Sequence, residues 1–517
     1  MGLSFIAAQA IQALERAPAA GKRGIDPNTA LEGADGAPKL TGEHEAVPAL
    51  LIQSTELRVP LLQPIKCGVC GRSFIEGTQI DGREVENFTA FCLRRLERRD
   101  RFQRLIVTAR SDVSSGELPQ VSWIVGPAGY TEHSDWPVDY GAWYISQVVD
   151  ILVSNPAVFS KTVLIINYDE ADGSFDHVTP PFPPQTAAQG ASTVDFHNEI
   201  VTTTAPNGPI GLGTRVPFIV VSPWTKGGYV NSQVFDHTSV IQFIEKRFGV
   251  RESNISPWRR TVSGDLTSVF NFKNPNEARP ALPSTDGFLP PVNELAGGDV
   301  TTFIPTQSQV FIGVPKQEKG IRSARALPYE LDARGHVNAS SSTIELQFFN
   351  TGSAGAAFEV RSGNSADRVR MFTVEPGKIL SGSWSFVAQY DLSVYAPNGF
   401  ARFFKGSVGP QAAALAIQAT YDNGDQGTIK LRIANVGTGN ATVVLLDAYS
   451  GEDDLLLLRP GESHEDHAGL GRFFGWYDLI VRVKEDPTFE WRLAGHVETG
   501  QDSFSDPALG GLVKLRT

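Results

Sequence analysis

Acidic side chains and one histidine are concentrated in the run Tyr168–His177. The acidic members and the histidine are Asp169, Glu170, Asp172, Asp176 and His177. The run follows an apolar stretch at 162–168 that is typical of a buried strand, and ligands of α/β proteins bind at the carboxyl ends of strands. A divalent cation bound by the carboxylates would relieve their mutual repulsion. The pattern indicates a divalent-cation site, and an acidic surface loop explains it about equally well.

Two more histidines lie in short polar runs, and the first of these runs could reach the same sheet edge. His133 belongs to the polar run Tyr130–Trp136, just before a predicted helix. An isolated histidine is usually structural, so the pattern alone leaves both roles open. His237 follows Asp236 in a Phe-Asp-His run that repeats the one at 175–177. Because Asp236 is well explained as a helix N-cap, we interpret this third cluster as structural.

The remaining candidates are weak. Cys67 and Cys70 form one C-x-x-C with Cys92 further on, and a single such pair without a second pair does not define a zinc site. His464 and His467 alternate with acidic residues, which we interpret as a solvated loop.

Alternating strand and helix patterns between 106 and 272 predict the elements that position the candidate site. A helix should carry Ile145, Val149 and Leu152 on one face, and Phe218–Val221 is a predicted strand. A second helix should follow Asp236 and end before Gly249, with a capping box formed by Ser239 and Gln242. This order predicts a three-layer α/β core with a largely parallel sheet, and Asp169 at the carboxyl end of a strand.

The C-terminal half contains an internal repeat. Three landmarks recur in the same order 84 to 87 residues later: Asn350-Thr351-Gly352 as Asn435-Val436-Gly437, Pro376-Gly377 as Pro460-Gly461, and Tyr390-Asp391-Leu392 as Tyr477-Asp478-Leu479. Alternating apolar runs with these turns predict two small antiparallel β-sandwiches. The predicted organisation is an irregular region 1–105, an α/β domain 106–273, a Pro-rich linker 274–305, β-repeats 306–408 and 413–500, and a tail 501–517.

Composition excludes several function classes. The chain has 517 residues, 41% hydrophobic and 20% charged, with a formal net charge of -12. This negative net charge argues against nucleic-acid binding and against binding of anionic lipid through a cluster of basic residues. No apolar run is long enough for a transmembrane helix, and three cysteines cannot form a disulfide-dense scaffold. The apolar stretch Leu3–Ala10 has no basic segment before it and is interpreted as a short helix or frayed start, not a secretory signal.

A series of motifs between about 118 and 500 resembles a known family. Its members in this chain are Leu118–Val125, Tyr130–His133, Tyr168–Glu170, Phe175–Val178, Pro180–Pro181, Gly213–Pro217, Ser222–Trp224 and Val230–Ser239. The series is similar to the bacterial phosphocholine-specific phospholipases C, in the phosphoesterase superfamily that also contains certain acid phosphatases. The paired β-domains resemble the C-terminal repeats of those phospholipases.

The resemblance implies an alkaline-phosphatase-like fold and phosphoester cleavage with a hydroxyl nucleophile. It implies that Asp169 and Glu170 hold a divalent metal of unknown identity, and that His133 acts beside the phosphate. Asp172 and His177 are further phosphate-side candidates, and Thr78, in the run Glu76–Gly82, is the candidate nucleophile. The substrate would be phosphatidylcholine-like lipid at a membrane surface, cleaved into phosphocholine and diacylglycerol by a secreted or periplasmic protein.

One family motif is not found in this chain. Family members begin with an acidic-Asn-Arg-Ser-Phe-Asp-His motif that contributes further site ligands. The expectation is therefore a member that is truncated, frame-disrupted or degenerate at its N-terminal side. The alternative function is a catalytically impaired relative that binds lipid or a partner protein. The oligomeric state cannot be inferred from these patterns.

Overall fold

The computed structural model describes residues 99–126, 130–133, 138–171, 176–202, 207–279, 281–288, 318–424 and 427–516, and four short strands before them. Those strands are β1 (Ile65–Lys66), β2 (Ser73–Phe74), β3 (Thr78–Ile80) and β4 (Arg83–Val85). β1 pairs with β2 and β3 with β4, both antiparallel.

The α/β part follows with five helices and five strands among its described residues. In chain order they are α1 (Arg99–Ser115), α2 (Val138–Val153), α3 (Pro156–Phe159), β5 (Leu164–Asn167), β6 (Gly190–Ser192), β7 (Ile200–Val201), β8 (Gly208–Pro209), β9 (Phe218–Val221), α4 (His237–Phe248) and α5 (Pro257–Val262). α1 runs across residue 105, where the sequence predicted a domain boundary. In the described part of the chain, no helix is long and apolar enough to cross a membrane.

β5 and β9 form the middle of three layers. Ile166 and Ile219 are paired neighbours on one face and pack with Ile145 of α2. Ile165 and Val220 lie on the opposite face and pack in the cluster that contains Val240 of α4. The helix–sheet–helix core and the strand preceding Asp169 are thus confirmed. The expected parallel pairing is wrong for these two strands, because β5 and β9 run antiparallel.

The start of α4 is fixed by its cap. The Asp236 side chain accepts a hydrogen bond from the Thr238 N–H at 2.9 Å, and the Asp236 N–H donates one to Ser239 Oγ at 3.1 Å. Ser239 therefore sits at the third helical position instead of at the cap, and the predicted Ser239–Gln242 capping box is wrong. Gly249 ends the helix at φ 69°, the left-handed conformation that glycine adopts without steric cost.

The rest of the chain is β-rich. Its strands are β10 (Ser323–Ala324), β11 (Leu331–Asn338), β12 (Thr343–Asn350), β13 (Ala356–Ser362), β14 (Arg370–Val374), β15 (Ile379–Ser385), β16 (Gln389–Tyr395), β17 (Ala401–Ser407), β18 (Leu415–Asp422), β19 (Thr428–Asn435), β20 (Ala441–Asp447), β21 (Asp453–Leu458), β22 (Ser463–Gly469), β23 (Trp476–Val483), β24 (Asp486–His496) and β25 (Ser503–Phe504). His464 and His467 lie in β22, so the predicted loop is a solvated strand paired with β19.

The two repeats fold alike and are joined. β11–β12–β15 and β18–β19–β22 form equivalent three-stranded sheets, and β10 pairs with β25. Four further strands of each repeat form, together with β6, one nine-stranded sheet in the order β21-β20-β23-β24-β17-β16-β13-β14-β6. The junction is the antiparallel pair β17–β24, and the strand order is symmetric about it. One buried hydrophobic cluster extends through both repeats. The expected two sandwiches are therefore fused into one body with a common core.

The α/β part is tied directly to this body. β6 adds to the nine-stranded sheet by pairing in parallel with β14. Trp258 of α5 is fully buried and donates Nε1–H to Thr373 Oγ1 at 2.9 Å. Tyr329 accepts a hydrogen bond from the Val234 N–H at 3.0 Å. Part of the segment predicted as a linker lies along α2, where Thr285 and Ser146 hydroxyls are 2.6 Å apart.

Candidate active site

The candidate site begins where β5 ends. Asn167 is the last residue of the strand, Tyr168 is fully buried, and Asp169 and Glu170 follow it in half-buried positions. His237, the first residue of α4, places Nε2 2.7 Å from the Tyr168 carbonyl oxygen. Because a carbonyl only accepts, Nε2 carries the proton and donates it to this bond. His237 thus fixes the peptide unit from which the acidic pair extends.

A second segment, 130–133, reaches the same place. Tyr130, Thr131 and Glu132 are all buried, and His133 is half-buried with its N–H 3.4 Å from Thr131 Oγ1. Glu132 has φ 59°, a left-handed conformation that is costly for a residue with a long side chain. Its carboxyl group is near enough to raise the pKa of the Tyr168 hydroxyl, after burial as the main cause. The segment that carries His133 therefore adjoins the residue before Asp169.

Glu132 is an unusual buried acid. It is 1% exposed, and neither carboxyl oxygen has a hydrogen-bond partner among the described residues. Burial, with the nearby charge of Asp139, raises the pKa of Glu132 to about 10. The hydroxyl of Tyr168 is likewise buried without a partner in the described part of the chain. Two polar groups with unmet bonding capacity thus lie beside the end of β5.

A buried ion-pair network holds His237 in place. Arg259 of α5 lies 2.6 Å from Asp236, the cap of α4, and 2.7 Å from Glu199. It also donates to the Gly211 carbonyl at 2.9 Å. Asp236 and Glu199 are each nearly buried, so the pair is shielded from solvent. The network connects α5, the residues that flank β7 and β8 (Glu199 and Gly211) and the N-cap of α4.

Asp176 and His177 have different surroundings from the acidic pair. Asp176 accepts hydrogen bonds from the side chain and backbone of Arg215 and forms an ion pair with it at 2.7 Å. Burial opposes its ionisation, but the Arg215 hydrogen bonds and charge hold the pKa of Asp176 below its usual value. His177 is exposed. Asp172 lies outside the described residues, so the structure does not place it relative to Asp169.

Comparison with known proteins shows which families the chain is similar to. Residues 77–251 match the Phosphoesterase family, and residues 323–407 and 412–496 each match the bacterial phospholipase C, C-terminal domain. The matched N-terminal range includes β5, both acidic residues, His133 and His237. The family resemblance predicted from the motif series is thereby confirmed.

The curated relatives are longer than the chain. The chain is 48% identical to a Burkholderia pseudomallei protein named non-hemolytic phospholipase C, over 77% of this chain and 58% of that protein. Two Pseudomonas aeruginosa proteins, named non-hemolytic and hemolytic phospholipase C, are 41% and 38% identical over 60% and 59% of their lengths. The chain thus spans about three fifths of the length of these relatives.

Several predicted site residues lie outside the described part of the structure. Thr78 is the first residue of β3, but its side chain is not among those described. The cysteines and the segment Leu3–Ala10 also lie outside the described residues. The structure adds His237 to the predicted site, and the repeated Phe-Asp-His run was the available signal. Nothing in the sequence pattern indicated the Arg259 network, whose members are far apart along the chain.

The described residues supply only some of the ligands that a bound cation would need. Asp169 and Glu170 offer carboxylate oxygens, which suit Mg²⁺, Ca²⁺ or Mn²⁺. Within the described ranges, however, no three histidine, cysteine or acidic side chains come together as a metal site. The chemistry of the pair fits a hard cation, while the described residues alone do not complete its coordination.

Proposed function

We propose that this chain is a phospholipase C-type phosphoester hydrolase of phosphatidylcholine-like lipids, which releases phosphocholine and leaves diacylglycerol. The observation that supports this most is the Asp169–Glu170 pair at the end of β5, with segment 130–133 and His237 brought to the same place. The names of the similar Burkholderia and Pseudomonas proteins favour the same activity. An alkaline-phosphatase-like arrangement of the α/β part and export from the cell belong to this proposal.

The proposed roles follow from the charge of the substrate. A phosphodiester is anionic and repels an attacking oxyanion, so positive charge near its oxygens lowers the barrier. A divalent cation held by Asp169 and Glu170 would supply such charge when bound. Asp172 and His177 are proposed to lie on the phosphate side of the site.

Bond making and breaking are assigned to two side chains. The Thr78 hydroxyl, as nucleophile, would give up its proton to solvent and form a P–O bond as the bond from phosphorus to the diacylglycerol oxygen breaks. His133 would donate a proton to that departing oxygen, as a general acid within reach of the site can. Attack by water on the phosphorylated threonine would then release phosphocholine and restore the hydroxyl.

Product analysis tests this function. The purified chain, incubated with phosphatidylcholine vesicles and a divalent cation, should produce phosphocholine and diacylglycerol in equal amounts, as measured by mass spectrometry. Free choline with phosphatidic acid would instead indicate cleavage on the other side of the phosphorus. Binding to vesicles without any product would favour the catalytically impaired, lipid-binding alternative.

A further inference from the structure

The two edge strands of the nine-stranded sheet have different surroundings. At one edge, β14 of the first repeat is covered, because β6 pairs with it and Trp258 bonds to Thr373. At the other edge, β21 of the second repeat pairs with β20 on one side and with no described strand on the other. A strand edge without a partner presents free N–H and C=O groups that can bind another strand.

The repeat makes the two edges comparable position by position. Val374 pairs with Ala356 in the first repeat, as Leu458 pairs with Ala441 in the second. Counting back along both strands, Met371 corresponds to Leu455 and Thr373 to Leu457. Met371 and Thr373 are 2% and 0% exposed, whereas Leu455 and Leu457 are 60% and 59% exposed. The uncovered edge therefore carries larger apolar side chains at the positions that are buried in the covered one.

Charges at the two ends of β21 are self-complementary. Asp453 begins the strand and Arg459 follows its last residue, and both side chains are more than half exposed. Among the described residues, each of these side chains forms one long ion pair, Asp453 with Arg516 at 3.4 Å and Arg459 with Glu462 at 3.5 Å. In an antiparallel pair of two such strands centred on Leu456, Asp453 lies opposite the second copy's Arg459. Leu455 lies opposite the second copy's Leu457.

We propose that β21 is a homodimerisation edge, at which two copies of this chain pair their β21 strands antiparallel about a two-fold axis. Such a contact is isologous, so each favourable pair occurs twice. The four leucines would lie side by side on the outer face, and opposite charges would face each other at both ends. The partner is a second copy because β21 itself supplies both the acidic Asp453 and the basic Arg459. These two residues lie opposite each other only when two β21 strands pair antiparallel.

The test is a charge exchange followed by analytical ultracentrifugation of the full chain over a wide concentration range. The natural chain should show a reversible monomer–dimer equilibrium. Asp453→Arg and Arg459→Asp each place like charges opposite each other twice, so each should weaken the dimer at least about tenfold. The double variant Asp453→Arg/Arg459→Asp regenerates both pairs and should recover dimerisation to within about threefold of the natural chain.

Control variants separate the proposed edge from general surface effects. Val387→Lys changes a 97% exposed apolar residue elsewhere on the β-body and should leave the dimer constant unchanged. Leu455→Glu should abolish the dimer, while circular dichroism shows an intact fold. A natural chain that stays monomeric at the highest concentration overturns the proposal, as does a double variant no better than the single ones. If Leu455→Glu reduces vesicle binding of a monomeric chain, the surface contacts lipid instead and the proposal is wrong.

Discussion

The carboxyl group of Glu132 is held in surroundings that favour its neutral form. Burial is the main cause, and the neighbouring charge of Asp139 acts in the same direction. A folded-state pKa of about 10, above the ordinary value of 4.5, means that the folded chain binds a proton more tightly than the unfolded chain does. The resulting stabilisation is complete below the ordinary pKa and is lost as the pH rises toward the folded value.

We therefore expect Glu132→Gln to be about as stable as the natural chain at pH 5 and clearly more stable at pH 8. Glutamine is uncharged at every pH and avoids the cost of ionisation in a buried position. The difference in unfolding free energy should grow by up to about 1.4 kcal/mol per pH unit. Urea unfolding at pH 5, 6.5 and 8 measures it, with Glu462→Gln on an exposed turn as the control. A difference that does not change with pH would contradict the assignment.

The His237 ring is expected to act on Asp169 through the Tyr168 carbonyl. His237→Gln retains a donor that can reach this oxygen, so turnover should fall only a few-fold. His237→Leu removes the donor and should lower kcat by about tenfold or more, with little change in KM, because a displaced group near the reacting atoms affects the transition state most. Steady-state kinetics of both variants provides the measurement. Equal kinetics for the two would show that the hydrogen bond does not position the acidic pair.

Among the elements, β6 is the strand that connects the α/β part to the nine-stranded sheet. Gly190, its first residue, has φ 128° and lies so close to β14 that an added Cβ would come within 1.8 Å of the Met371 carbonyl oxygen. Gly208 has a similar φ of 151° but open space around it. Both glycines therefore have an unusual backbone conformation, but only Gly190 lacks space for a Cβ atom.

Gly190→Ala should force β6 away from β14, whereas Gly208→Ala introduces backbone strain alone. We expect Gly190→Ala to lose roughly 3 kcal/mol more unfolding free energy than Gly208→Ala, the range found for overpacked positions. Urea unfolding at neutral pH compares the two variants with the natural chain. Equal losses would mean that the β6–β14 contact contributes little to stability.

Local patterns predicted the elements well, because amphipathic periodicity and caps are local properties. The run Phe218–Val221 is β9 residue for residue, and the predicted helices correspond to α2 and α4. The antiparallel pairing of β5 with β9 could not be inferred, since a short apolar run has no direction. The contact of His237 with the Tyr168 carbonyl joins residues 69 positions apart, a distance at which sequence spacing has no predictive value.

At the scale of the whole molecule, the two repeats form one folding unit. Arg402 is 1% exposed and lies near their junction. It donates hydrogen bonds to Tyr421 and Tyr477 of the second repeat, at 2.6 and 3.1 Å, and lies 3.5 Å from Asp332 of the first. The sequence showed the repeat, but alternation within each copy does not reveal which edges join.

Arg402→Met should destabilise both repeats together, by about 3 kcal/mol, because it removes one partner of a buried charged network. Differential scanning calorimetry should show the β-rich body melting in a single transition that shifts to lower temperature. Arg432→Met, on the exposed side of β19, should change the unfolding free energy by less than about 0.5 kcal/mol. Two separate transitions for the repeats would show that the common core does not couple them.

The acidic pair after β5 is proposed to take part in phosphoester cleavage, and phosphocholine release from phosphatidylcholine measures that role. The full chain is compared with Asp169→Asn, and Asp391→Asn on β16 of the first repeat is the matched control. The amide of asparagine keeps the shape of the side chain and removes the charge that would hold a cation. We expect the natural chain and Asp391→Asn to release phosphocholine at similar rates, and Asp169→Asn to lose at least about a hundredfold, in line with the loss of a metal-site residue. Equal rates for the natural chain and Asp169→Asn would show that the acidic pair does not take part in the reaction.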